Sequence, residues 1–234
     1  MIKTVLFDLD GTLLPMDQDV FVKDYFGRLV KKLAPHGYEP EKTVNAVWAG
    51  TKAMIKNDGS AFNEQRFWET FPIYTGKDAL ADLSLFDEFY ETEFPLVSAS
   101  CGHTEKASQA IAILKEKGIN AVLATNPIFP AVATKHRMRW AGVKPEDFSY
   151  FTTYENSRFC KPNPAYYQEI LDNVGLKAEE CLMVGNDVGE DMVASKLGMK
   201  VFLLTDCLIN RNGEDINAYP HGDFDELLRF LHAL

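Results

Sequence analysis

Positive charge is in short supply in this 234-residue chain: 24 lysines and arginines stand against 34 aspartates and glutamates, a formal net charge of −10. That balance disfavours extended polyanions, so DNA, RNA and an anionic membrane surface are not expected as its principal partners. A small phosphorylated ligand remains open, because a bound cation can override the global field locally. Cysteine is sparse as well. Cys101, Cys160, Cys181 and Cys207 stand apart with no CxxC spacing, which argues against a disulfide framework or a zinc cluster and fits reduced thiols in the cytosol. No apolar run approaches the ~20 residues of a membrane span, and the chain starts without the apolar core of a signal peptide. A cytoplasmic protein is expected, with nothing asking for more than a monomer or weak homodimer. Internal repeats and low-complexity segments are also missing.

Strand signal is almost absent between residue 17 and about residue 95. Helical periodicities fill that stretch at Val20–Leu33, Thr43–Ile55, Phe62–Phe71 and Leu80–Phe94, separated by turn residues at Pro35-His36-Gly37, Asn57-Asp58-Gly59 and Thr75-Gly76. Its many aromatics (Phe21, Tyr25, Phe26, Trp48, Phe62, Phe67, Trp68, Phe71, Phe86 and Phe89) are expected as bundle core rather than ligand contacts. The remainder alternates instead. Apolar runs at 4–7, 121–124, 148–151, 181–184 and 201–204 read as five strands with helical patterns between them, including Thr104–Lys117 ended by Gly118. This alternation predicts an α/β fold, a doubly wound parallel sheet with ligands bound beyond the carboxyl ends of the strands, and an inserted α-helical domain. The predicted division is a core at 1–15 and 96–234 with a helical insertion at 16–95.

What the sequence does contain is Asp8-Leu9-Asp10-Gly11-Thr12 at the end of the first apolar run. Residues two apart in a strand point the same way, so both carboxylates leave the strand end together. Two like charges held that close call for a cation or a shared proton; magnesium binds through one or two carboxylates and keeps its other positions for water or phosphate oxygens. A polar turn is the plain alternative, since DG and GT often mark one. A calcium loop fits poorly, because its fifth and twelfth positions hold Thr12 and Asp19.

Three further polar clusters fall where strands should end: Thr125-Asn126, Lys161 ahead of Pro162-Asn163-Pro164, and Gly185-Asn186-Asp187-Val188-Gly189-Glu190-Asp191. Taken singly they read as a cap, a solvated lysine and a helix-dipole partner. Their common position at the ends of one parallel sheet brings them to one crevice. There Asp8, Asp10, Asp187 and Asp191 meet with Lys161 as the only obvious cation, which implies a bound divalent ion.

In these four motifs, in this order over most of its length, the chain resembles the haloacid dehalogenase superfamily. The resemblance implies a Rossmann-like core with a cap inserted after the first motif, and a magnesium-dependent phosphomonoester hydrolase acting on a small phosphorylated metabolite. It implies Asp8 as nucleophile and Asp10 as acid/base. Thr125, Asn126 and Lys161 would bind the substrate phosphate, and Asp8, Asp10, Asn186, Asp187 and Asp191 would form the metal site. Asp10 matters within the family: a halide leaves without a proton, whereas an alkoxide benefits from an acid, so the resemblance is to a phosphatase. The sequence departs from the family pattern at Asn186, which holds the slot where an Asp usually follows the strand-ending Gly. Spacing favours Asn186 as direct metal ligand and charge favours Asp187; Asn186 is the preferred reading, with Asp187 holding a metal-bound water. A phosphosugar mutase on the same core and a catalytically idle phospho-ligand binding protein are the rival readings. Arg66, Lys52, Lys56 and His36 are candidate specificity residues of the insertion, a solvated surface group being the plainer reading of each.

Overall fold

The computed structural model describes residues 1–234. Six parallel strands form one sheet: β1 (Thr4–Phe7), β2 (Asn120–Leu123), β3 (Tyr150–Phe151), β4 (Cys181–Gly185), β5 (Lys200–Leu204) and β6 (His221–Gly222). Their order is β3-β2-β1-β4-β5-β6. The chain runs outward from β1 to one edge, then returns past it to the other. This places the topological switch between β1 and β4, where an open α/β sheet has its crevice. Register confirms the alignment, Phe7 lying opposite both Leu123 and Val184.

Central strands are buried on both faces, so they read as continuous apolar runs rather than as alternating ones. One face packs on helices α5 (Lys106–Glu116) and α8 (Phe224–His232), the other on α7 (Pro164–Val174), each face with its own apolar cluster. Two strand expectations change at the edges. The run at 148–151 contributes only Tyr150 and Phe151 to the ladder, and β6 is an additional sixth strand, because His221-Gly222 has no apolar pattern and pairs through its backbone alone.

Between β1 and α5 the chain is helical: α1 (Gln18–Leu33), α2 (Pro40–Ile55), α3 (Asn63–Thr75) and α4 (Leu83–Glu88). These helices gather a separate apolar cluster around Phe21, Tyr25, Leu29, Tyr38, Phe71 and Phe89. Asp17 caps α1 by accepting from the amides of Asp19 and Val20. At Gly50 a Cβ would collide with the Phe67 ring, so the glycine is what lets α2 and α3 approach. The periodicity at 80–94 predicts one helix, but α4 ends at Glu88, widens into a π turn over Phe89–Glu93 and tightens to 3-10 geometry from Phe94. Pro95, with no N–H, cannot continue an α ladder. Between β4 and β5 the expected helical pattern takes 3-10 geometry, over Met192–Leu197.

Candidate active site

The four clusters do converge at the carboxyl ends of β1, β2 and β4. A crevice of about 320 Å³ there is lined by Asp8, Asp10, Thr125, Asn126, Asn186, Asp187 and Asp191, among others. Asp8 follows β1 directly, its amide donating to the Val184 carbonyl of β4 at 2.9 Å. Gly11 then turns the chain with φ of +85°, and a Cβ there would strike the Asn186 side chain. The Thr12 hydroxyl lies 3.1 Å from Asp8 Oδ2 and 3.0 Å from Asn186 Oδ1. Its single proton can serve only one of these acceptors at a time.

Lys161 joins the loops. Its Nζ donates to Asp8 Oδ1 at 2.8 Å and to Asp191 Oδ1 at 2.6 Å, with 1% of the lysine side chain exposed. Burial works against that ammonium, but Asp191 and Asp8 outweigh it and hold the lysine well above its ordinary range. Burial also pushes Asp191 up to about 7, against the opposing pull of Lys161. Asn126 steadies the approach of this loop. Its Oδ1 accepts from the Lys161 amide at 3.3 Å and its Nδ2 donates to Glu190 at 3.2 Å. The Thr125 carbonyl accepts from the hydroxyls of Thr152 and Tyr166, which fixes the end of β2.

Lys161 is not the only cation, contrary to expectation. Arg137, on α6 (Ala131–Trp140), has 1% of its side chain exposed and forms an ion pair with Asp10, while its guanidinium also lies 4.5 Å from the centre of the Phe129 ring. Arg211 pairs with Asp187 at 2.6 Å. Neither was visible as a site residue in the sequence. The available signal was weak: Arg137 falls one turn after Ala133 and one residue before Met138 on the buried face of α6, a place where an unpaired charge is not tolerated. Arg211 lies in a loop and has no pattern around it.

All five metal candidates line the crevice, but their other partners differ. No three acidic, histidine or cysteine side chains are grouped as a metal site. Asp191 is occupied by Lys161 and by the Asp187 amide, and Asp187 accepts from the amides of Gly189 and Glu190 as well as from Arg211. Asn186 faces the other way, towards Gly11 and Thr12, and donates to the Cys207 carbonyl at 2.6 Å. Asp10 Oδ1 is buried without any hydrogen-bond partner. The acceptors left short of donors are Asp10 Oδ1 and whichever of Asp8 Oδ2 and Asn186 Oδ1 the Thr12 proton does not serve, hard oxygens that fit magnesium chemically. Burial raises the Asp10 carboxyl above its ordinary range, Arg137 opposing and Asp8 reinforcing the rise.

The helical insertion is tied to this region as well as to its own cluster. The amides of Asn63 and Glu64 at the start of α3 donate to the carbonyls of Ser157 and Tyr154, each at 2.9 Å. Phe21, Val22, Trp48, Thr51 and Ile55 complete the crevice wall. None of Arg66, Lys52, Lys56 and His36 lines it. Arg66 instead bonds Asn57, Asp58, Ser60 and Glu69 within the insertion.

Residues 2–197 match the haloacid dehalogenase-like hydrolases, and the chain belongs to that family. It is 26% identical over 235 residues to a phosphoglycolate phosphatase of Colwellia psychrerythraea, covering 99% of this chain and 96% of the relative. A glyceraldehyde 3-phosphate phosphatase of Methanothermobacter thermautotrophicus is 23% identical, with coverage of 99% and 100%. Among solved structures, a 2-haloacid dehalogenase of Pseudomonas syringae superposes with a TM-score of 0.65 at 19% identity, over 100% of this chain and 99% of that one. At that identity the likeness concerns the fold. No helix is long and apolar enough to cross a membrane.

Proposed function

We propose that this hydrolase cleaves phosphomonoesters of small metabolites, with residues 16–95 as a cap over a core of 1–15 and 96–234. The observation that carries the reading is Lys161, a buried ammonium gripping the carboxylates of Asp8 and Asp191 at the strand ends. Such a clamp orients Asp8 and supplies positive charge beside it. An Asp8 oxygen attacks phosphorus, and the bond from phosphorus to the ester oxygen breaks. Asp10, its carboxyl raised by burial, gives its proton to the departing alkoxide. Asp10 then takes a proton from water, whose oxygen attacks the aspartyl-phosphate and releases inorganic phosphate and the free Asp8 carboxylate. Thr125 and Lys161 bind the phosphoryl oxygens, with Asn126 holding Lys161 in place.

Magnesium, held by Asp8, Asp10 and Asn186, supplies charge neutralisation at the phosphoryl oxygens when bound. The face that Asn186 presents to Gly11 and Thr12 supports it as the direct ligand, and the engagement of Asp187 with its own loop supports an outer role. The test is phosphate release from a panel of esters with magnesium present. Release that stops in excess chelator and returns with added magnesium is the expected result; no release from any ester overturns the phosphatase reading, and full activity in chelator overturns the metal.

A further inference from the structure

The crevice over Asp8 opens onto a mostly apolar space. Phe21, Val22, Trp48, Thr51, Ile128 and Phe129 line it and also line an adjoining cavity of about 90 Å³ enclosed by α1, α2, α3 and the segment 128–130. That cavity has 16 lining residues and none is charged. Its deeper wall is aromatic, with Phe67 and Trp68 edge to face at 4.9 Å between ring centres. About 90 Å³ is three times the ~30 Å³ share of one water in the liquid, and a cavity of ~150 Å³ with apolar walls takes benzene. At about 90 Å³ the space is smaller than that, so a ring is accommodated only by spanning it and the open crevice beside it.

Cations are scarce on the same surface. Arg211 is the one cationic side chain lining the crevice; it pairs with Asp187 at 2.6 Å, lies at the crevice's polar end and keeps 60% of its side chain exposed. Lys161 and Arg137 are each 1% exposed and committed to Asp8, Asp191 and Asp10. Inside the aromatic cavity a leaving group carrying a second carboxylate or phosphate would be desolvated with no cation among the lining residues, whereas an apolar one gains by leaving water.

Resting on the phosphatase reading, we propose that the substrate is a phosphate ester of an uncharged alcohol bearing an aromatic ring, which enters the Phe21–Trp48–Phe129 cavity. Phosphate esters of glycolate and other small acids are then poor substrates for this chain, unlike what the name of the Colwellia relative describes for that protein. The two readings separate in one experiment. kcat/KM is measured with magnesium for 2-phenylethyl phosphate, ethyl phosphate and phosphoglycolate; the first two release alkoxides of similar basicity, so their ratio reports the ring. The expected ratio is at least about tenfold in favour of the ring, the scale on which apolar pockets discriminate, with phosphoglycolate below 2-phenylethyl phosphate. Hydrolysis of ethyl phosphate or phosphoglycolate as fast as the aromatic ester overturns the cavity proposal alone, and failure of every ester overturns the phosphatase reading. Trp48→Ala, at a position already 51% exposed, is expected to fold and to lower the ring-to-ethyl ratio about fivefold or more on the same scale; an unchanged ratio counts against the cavity. Independently of turnover, calorimetry should find 3-phenylpropylphosphonate bound about tenfold tighter than propylphosphonate, and equal affinities would refute the assignment.

Discussion

Two surfaces face each other across the crevice, and they are stabilised by opposite means. The strand-end surface carries Asp8, Asp10, Asp187 and Asp191, each held by a cation or a backbone amide. The helical surface presents Phe21, Val22, Trp48, Thr51 and Ile55 with no charge at all. Removing a partner from the first leaves an uncompensated charge in low dielectric, which is costly and changes chemistry. Changing the second alters how much apolar surface a ligand can cover. On the proposed reading chemistry belongs to the first surface and selectivity to the second, and the two should respond to mutation separately.

The most severe test of that separation is Asp8→Asn. The amide preserves shape but not the nucleophile, so phosphate release should fall at least about a thousandfold, on the scale of nucleophile removal, with an unchanged circular dichroism spectrum. More than a tenth of wild-type rate would show that Asp8 does not carry the covalent step. Next is Lys161→Met. It strips the shared ammonium from Asp8 and Asp191, and denaturant unfolding should register a loss of about 3–5 kcal/mol, typical of a broken buried ion pair. A variant as stable as wild type would mean that the strand-end surface does not depend on its charges.

Arg137→Met sharpens the role of Asp10. Arg137 favours the ionised carboxylate and so opposes the rise caused by burial; without it the Asp10 pKa goes higher still. The acid must be protonated to serve the leaving alkoxide, so the basic limb of the kcat profile for an alkyl ester should move to higher pH. A limb that stays in place, or moves down, would separate Arg137 from the proton transfer. The effect in the metal loop is smaller. Asn186→Ala should need more magnesium for half-maximal activity, by about 10–100-fold if it is a ligand or close partner, and Asp187→Asn should need less of an increase; the reverse order would move the ligand by one residue. The smallest effect is expected at Arg66, which lies on the insertion but away from the crevice. Arg66→Ala should change stability by less than about 1 kcal/mol, as exposed ion pairs do, and leave the relative rates on different esters alone.

Much of the core was legible because its signals are local. A buried central strand must be an apolar run, and the segments at Thr4–Phe7, Cys181–Gly185 and Lys200–Leu204 are such runs. β6 was not legible, since two residues paired through backbone groups leave no side-chain pattern. The helices of the insertion were readable from period and turns. Their aromatics were only half understood: Phe71 and Phe89 are fully buried, as bundle core should be, but Trp48 is half exposed and shares the wall of a cavity with Phe21 and Phe129. Periodicity says which face of a helix is apolar and is silent on whether that face meets another side chain or a space.

The order of the motifs along the chain was sufficient to determine the family, the strand ends at which polar groups collect, and the pairing of a carboxylate-rich core with a helical insertion. Those depend on spacing within a few residues, and spacing is written in the chain. The partners of the carboxylates were decided only by tertiary structure. Arg137 reaches Asp10 from 127 residues away and Arg211 reaches Asp187 from another loop. The aromatic cavity likewise exists only where the insertion meets the segment 128–130. Contacts of that kind depend on how rigid elements dock, and docking is set by the whole packed surface rather than by any local pattern.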